Sequence, residues 1–188
     1  TKKSFNRWRM FGKTSDKIFK SFSSCISSSK DTSQYLDILG ARNIKFFGNI
    51  KFCSSINADS KYLDQFNMVK KRKIWCALST HADEEIFCGK THLLAKKTVN
   101  DLLTIIIPRH ISRIDDIYKK LKNLGLNIQI KKEEEDINNF ADIVLVNYYG
   151  SVNKYLKSVR QVFIGKSTIK KFENSGGQNP IDAAKIGC

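Results

Sequence analysis

Leu102-Leu103-Thr104-Ile105-Ile106-Ile107 is a continuous bulky run with no polar alternation. A strand with one wet face alternates apolar and polar residues, so an unbroken run implies a strand covered on both faces, as in a parallel sheet. The flanking chain agrees. Lys73–Leu78 predicts a strand, Ala82–Lys97 a helix, residues 112–123 a second helix ended by Gly125, and Leu126–Ile130 and Ile143–Val146 two more strands. A short helix over residues 151–156 and a strand at Val162–Gly165 complete the series, and the charged insert Lys131–Asp136 is expected to be solvated. Strands alternating with helices predict an α/β fold, a Rossmann-like parallel sheet wound on both faces.

Upstream of this series the pattern is looser. From Lys3 to Phe22, aromatic residues (Phe5, Trp8, Phe11, Phe19, Phe22) are interleaved with basic ones, which predicts a basic amphipathic helical stretch broken near Gly12. Such a face suits packing on a core, and it also suits an anionic membrane surface. A strand within Ser23–Ser29, a helix Lys30–Leu39 stopped by Gly40 and a strand Ile44–Phe47 follow. Residues 53–60 are polar and read as a linker, so the chain divides into 1–52 and 53–188, with a weak helix expected over Asp59–Val69.

Thirty-three Lys and Arg against 18 acids give a net charge of +15. That balance favours anionic partners, and the spread of the lysines argues for a broad basic surface rather than a nucleic-acid-binding tail. Five scattered cysteines, an odd number, fit reduced thiols of a cytoplasmic protein. No apolar run approaches a membrane span and no signal peptide opens the chain, so the chain itself is expected to be soluble.

In a doubly wound sheet, ligands bind beyond the carboxyl ends of the strands. Three polar loops fall there: Ser79-Thr80-His81, Pro108-Arg109-His110, and Ser175-Gly176-Gly177-Gln178-Asn179-Pro180-Ile181-Asp182. The last has glycines for a tight turn, Asn179 as N-cap, Pro180 at the first helical position and Asp182 in the first turn, a suitable anion site. Thr80 or Ser79 has the spacing to cap the next helix, and Glu84 and Glu85 complement its dipole. Arg109, set by Pro108, is placed to hold a phosphate or carboxylate with its fork. Cys76, His81, Cys88 and His92 have a zinc-like spacing but the wrong register for convergence, so no metal is expected.

Several of these stretches together resemble one family. Trp75-Cys76-Ala77-Leu78-Ser79-Thr80-His81-Ala82-Asp83-Glu84-Glu85, Ile107-Pro108-Arg109-His110 with Arg113, and Gly176-Gly177-Gln178-Asn179-Pro180-Ile181-Asp182-Ala183-Ala184 are similar, in that order, to the bacterial 3-deoxy-D-manno-octulosonic acid (Kdo) transferases. Ser4-Phe5-Asn6-Arg7-Trp8 and Gly48-Asn49-Ile50-Lys51-Phe52 extend the likeness upstream. The resemblance implies a glycosyltransferase of the GT-B fold, with residues 1–52 ending an N-terminal acceptor domain and 53–188 forming most of the C-terminal nucleotide-sugar domain. It implies transfer of Kdo from CMP-Kdo to a lipid A precursor in lipopolysaccharide biosynthesis, by inversion and without metal or cofactor, at the cytoplasmic face of the bacterial inner membrane.

Within that reading Arg109 holds the donor phosphate or the Kdo carboxylate. Gly177 and Asn179 steady the departing CMP phosphate, Asp182 accepts from the ribose hydroxyls, and Ser79, Thr80 and Ser167 line the sugar. The family usually has His at Gln178, Glu at Asp182, and Gly at Asp83 and Lys166. Its Asp-Thr-Met-Gly-Glu-Leu run is replaced by Asn147-Tyr148-Tyr149-Gly150-Ser151-Val152. Family chains also extend beyond both ends of this one, so the sequence reads as a partial chain without the family's catalytic glutamate, inactive alone. The implied partners are CMP-Kdo, the lipid A precursor and an anionic membrane surface, with no nucleic acid. A non-catalytic nucleotide-binding module and a basic nucleic-acid-binding domain are the other readings.

Overall fold

A computed structural model describes residues 1–53, 69, 71–150, 152–172 and 178–188. The chain divides into two compact units, Thr1–Ser55 and Ile56–Cys188. Most of the 53–60 linker, Gly176-Gly177 and, apart from Val69 itself, the helix expected over Asp59–Val69 lie outside the described residues.

In the first unit, α1 (Lys2–Arg9) and α2 (Gly12–Lys20) replace a single helix, with the break at the expected place. Trp8 meets Phe19 edge to face at 5.5 Å, and the Ser15 hydroxyl donates to the Trp8 carbonyl, closing the pair. Phe5 is buried and stacks on Tyr35 at 4.5 Å. Packing takes up only part of the apolar face, because Met10, Phe11 and Phe22 stay exposed. β1 (Cys25–Ser27) and β2 (Ile44–Phe46) pair in parallel, joined through α3 (Lys30–Ile38), which Ser29 caps by accepting from the Thr32 amide.

The second unit is a five-stranded, all-parallel sheet in the order β5-β6-β4-β3-β7. Its strands are β3 (Lys73–Thr80), β4 (Leu102–Pro108), β5 (Ile128–Lys131), β6 (Ile143–Val146) and β7 (Gln161–Ile164). All of β4 and β6 is buried, as the unbroken apolar runs require. Alternate residues feed two cores. Cys76, Leu78, Ile105 and Val144 face one, with Tyr155 and Leu156 of α6 (Val152–Leu156) and Ala183 of α7 (Ile181–Ile186). Ala77, Ile106 and Leu145 face the other, with Cys88 of α4 (Glu84–Ala95) and Ile117 and Leu121 of α5 (Ile114–Lys122). Cys76 and Cys88 thus lie in different cores, while His92 is buried with its Nδ1 2.8 Å from the Thr104 hydroxyl. Among the described residues no helix is long and apolar enough to cross a membrane.

Two expectations need correction. The 131–136 insert is not uniformly solvated: Lys131 is the last residue of β5 and is fully buried. Its Nζ donates to the carbonyls of Lys132, Glu133 and Glu135, which satisfies the ammonium from its own turn, and burial holds its pKa below the ordinary value. The helix expected from Ala82 begins at Glu84, because Asp83 has a φ of 78° and left-handed backbone cannot continue a right-handed helix.

Candidate functional site

The crevice follows from topology. The chain leaves β3 into α4 on one face of the sheet and leaves β7 toward α7 on the other. Neighbouring strands whose exits diverge open a cleft at their carboxyl ends, the usual ligand position in such folds.

Three backbone features shape its floor. The β3–β4 register slips between Leu78 and Thr80, leaving Ser79 as an unpaired bulge with φ 52° just before Thr80, whose partner Pro108 has no N–H for the ladder. The ladder recovers one residue on, where the Arg109 amide donates to the Thr80 carbonyl at 3.0 Å. Gly165 lies against the bulge: a Cβ there would sit 2.2 Å from the Ser79 carbonyl oxygen, so only glycine permits this approach.

Two buried carboxylates then tie the loops together. Glu84 has no exposed surface. Its Oε2 accepts from the His81 amide at 2.9 Å, and its Oε1 accepts from the amides of Lys166 at 2.6 Å and Ser167 at 3.2 Å. One side chain at the start of α4 therefore fixes both the loop after β3 and the loop after β7. Glu85 accepts the Arg113 fork, Nη1 on Oε1 at 3.0 Å and Nη2 on Oε2 at 3.1 Å, and also the Thr80 hydroxyl at 3.1 Å. Sequence reasoning gave both acids a dipole role only. The usable signal was two adjacent acids in one first turn, where helix geometry sends their side chains in different directions.

The predicted residues separate in this frame. Ser79 is half-buried on the bulge and Arg109 is exposed beside it, without an ion pair among the described residues. Ser167 is exposed, its hydroxyl donating to the Ile164 carbonyl. Thr80 is fully buried and committed to Glu85, so it positions the loop rather than lining the cleft. Helix α7 starts at Ile181 rather than Pro180, and Asn179 Oδ1 takes the Ile181 amide at 3.1 Å, which uses one of the amides expected to meet a phosphate. Asp182 is half-buried in the first turn of α7, and Gly177 lies outside the described residues. Asp83 and Lys166 have φ values of 78° and 66°, the left-handed region that favours glycine.

His81 and Gln178 meet at the same end of the sheet, and neither is among the predicted donor-binding residues. Gln178 Nε2 is 3.0 Å from His81 Nε2, and the His81 ring meets His110 edge to face and lies 5.2 Å from Phe172. Burial is the main cause holding the His81 pKa below its ordinary value, with Lys166 and His110 acting the same way against Glu84 and Glu85.

Comparison with known proteins agrees with this architecture. A family model described as 3-deoxy-D-manno-octulosonic-acid transferase (kdotransferase) matches residues 1–54. The 3-deoxy-D-manno-octulosonic acid transferase of Rickettsia bellii is 28% identical over 185 residues, covering 97% of this chain and 43% of that protein. The enzyme of the same name from Rickettsia typhi is 29% identical over 186 residues, covering 97% and 39%. The chain therefore spans about two fifths of the length of these relatives. Among solved structures, the C-terminal CMP-Kdo binding domain of WaaA from Acinetobacter baumannii matches with a TM-score of 0.61 at 21% identity, over 73% of this chain and 68% of that one. That likeness establishes the fold of the sheet unit as that of a GT-B C-terminal domain. Along nearly all its length the chain is similar in sequence to the 3-deoxy-D-manno-octulosonic acid transferases, and its second unit shares the fold of the CMP-Kdo binding domain of one of them.

Proposed function

We propose that this chain is the donor-binding part of a Kdo transferase, together with the end of its acceptor domain. Residues 1–52 belong to the acceptor domain and 53–188 to the domain that holds CMP-Kdo. The whole enzyme transfers Kdo to a lipid A precursor at an anionic, cytoplasmic membrane face. The observation that supports this reading is the Glu84 clamp, which ties the loop after β3, through His81, to the loop after β7, through Lys166 and Ser167, at the carboxyl end of the sheet.

In the cleft, Arg109 takes the donor's phosphate or carboxylate with its two-pronged donor set. Ser79 and Ser167 line the sugar side, Asn179, together with Gly177, steadies the departing phosphate, and Asp182 accepts from the ribose. Thr80 acts from beneath through Glu85. Transfer of a glycosyl group from a nucleotide needs stabilisation of charge building on the leaving phosphate, and the permanently charged Arg109 guanidinium supplies it.

Protein-observed NMR with CMP and with AMP tests the proposal. Shifts at Ser79, Arg109 and Ser167, larger for CMP than for AMP at equal concentration, are expected. Arg109→Ala should weaken CMP at least tenfold and Arg109→Lys by less. Shifts confined to residues remote from Arg109, or equal affinity in the alanine variant, would refute it.

A further inference from the structure

The aromatic face of the α1–α2 pair suits either packing or a membrane surface, and packing consumes little of it. Phe5 stacks on Tyr35 and Ser15 is buried, but Met10 is 86% exposed, Phe11 58% and Phe22 51%, with Ile18 also open to solvent. These residues are contiguous. Phe11, Trp8, Phe19 and Phe22 form a row of rings with centroids 6.2, 5.5 and 6.4 Å apart, and Met10 stands next to Phe11 at the turn between the helices. Phe11, Ile18 and Phe22, seven and four residues apart, share one side of α2 and its flanks, while Lys13, Lys17 and Lys20 occupy the other.

We propose that the α1–α2 turn, with Met10 and Phe11 at its tip, docks on the headgroup region of an anionic phospholipid bilayer. That a membrane is at hand rests on the enzyme reading above, whereas the choice of surface rests on exposure and charge. Residues 1–22 carry seven basic residues against one acid, Asp16, and Lys20 already engages that acid at 2.8 Å. The apolar tip is bracketed by Arg9 and Lys13. A protein core that received Met10 and Phe11 would have to take those cations with them. The interface of an anionic leaflet accepts both, apolar side chains below and cations at the phosphates. Single-stranded nucleic acid complements the charge, but it binds through free ring faces and gives no role to the exposed aliphatic chains of Met10 and Ile18.

The test is cosedimentation of the 188-residue chain with vesicles of phosphatidylcholine alone and with about 30% phosphatidylglycerol. Partitioning should be at least about tenfold stronger on the anionic vesicles and should weaken as salt rises. Met10→Ser combined with Phe11→Ser should reduce it about tenfold. Phe140→Ser, which removes an aromatic side chain 81% exposed on the second unit, should leave it unchanged. In the Trp75→Phe chain Trp8 is the only tryptophan, and lipids brominated along the acyl chain should quench its emission. Equal partitioning on neutral and anionic vesicles, an unquenched Trp8, no loss in the Met10 and Phe11 double variant, or an equal loss in Phe140→Ser would overturn the proposal. So would binding to a single-stranded oligoribonucleotide in place of the vesicles. Vesicle binding is read without CMP, so CMP shifts in a chain that ignores vesicles would refute this surface alone, and vesicle binding without CMP shifts would refute the donor site alone.

Discussion

Replacing Glu84 by Gln changes one oxygen for one NH2 group and keeps the shape, so it isolates the clamp. The carboxylate accepts three backbone amides, from His81, Lys166 and Ser167, with no solvent contact. The best placement of the amide keeps its oxygen on Lys166 and Ser167 and turns its NH2 toward the His81 N–H. One charge-assisted bond, worth roughly 1.5–3 kcal/mol, is then lost and replaced by two opposed donors. The remaining two become neutral bonds of about half the strength. Relief from burying a charge offsets part of this, which leaves a loss of about 3 kcal/mol. For a chain of this size that is roughly 6–12 °C in melting temperature. Glu84→Asp should do no better, since a carboxylate one methylene shorter cannot serve both loops. Urea unfolding followed by circular dichroism measures the loss, and amide spectra should move at His81, Lys166 and Ser167 together. A Glu84→Gln protein within about 0.5 kcal/mol of the parent, with those three amides unmoved, would show that the clamp is not what holds the loops.

Lys166→Gly should raise stability by about 0.5–1 kcal/mol, because relief of left-handed strain exceeds the added freedom of the unfolded chain, and a drop in urea midpoint would refute this. Gly165→Ala should cost more than about 2 kcal/mol and displace Ser79, since its Cβ would sit 2.2 Å from a carbonyl oxygen, far inside van der Waals contact; an unchanged melting curve would count against the close approach. Stability should fall as pH drops below about 6.5, because burial holds the His92 pKa below its ordinary value, so the unfolded chain takes up a proton first. His81 is displaced in the same direction, so His92→Gln should remove part of the slope between pH 7.5 and 5.5, and an unaltered slope in that variant would refute the assignment.

The order of strands and helices was legible because it is written in local periods. The apolar run of β4 announces a doubly covered strand by itself, and Gly125, with φ 79°, ends α5 through backbone freedom that any sequence reader can assign. The end of the sheet at which the donor site is proposed could be picked out for the same reason, since it follows from helix–strand alternation. What the residues do at that end was not. Glu84 looks like a dipole partner until Lys166 and Ser167, 82 and 83 residues away, are brought to it by β7 lying beside β3. Thr80 looks like a cleft residue until the bulge at Ser79 turns it inward, and Lys131 looks solvated until three carbonyls of its own turn enclose it. Capping and periodicity act over one turn or two residues and so survive in one dimension. A buried hydrogen bond between distant loops depends on which strands are neighbours, and only the assembled sheet decides that.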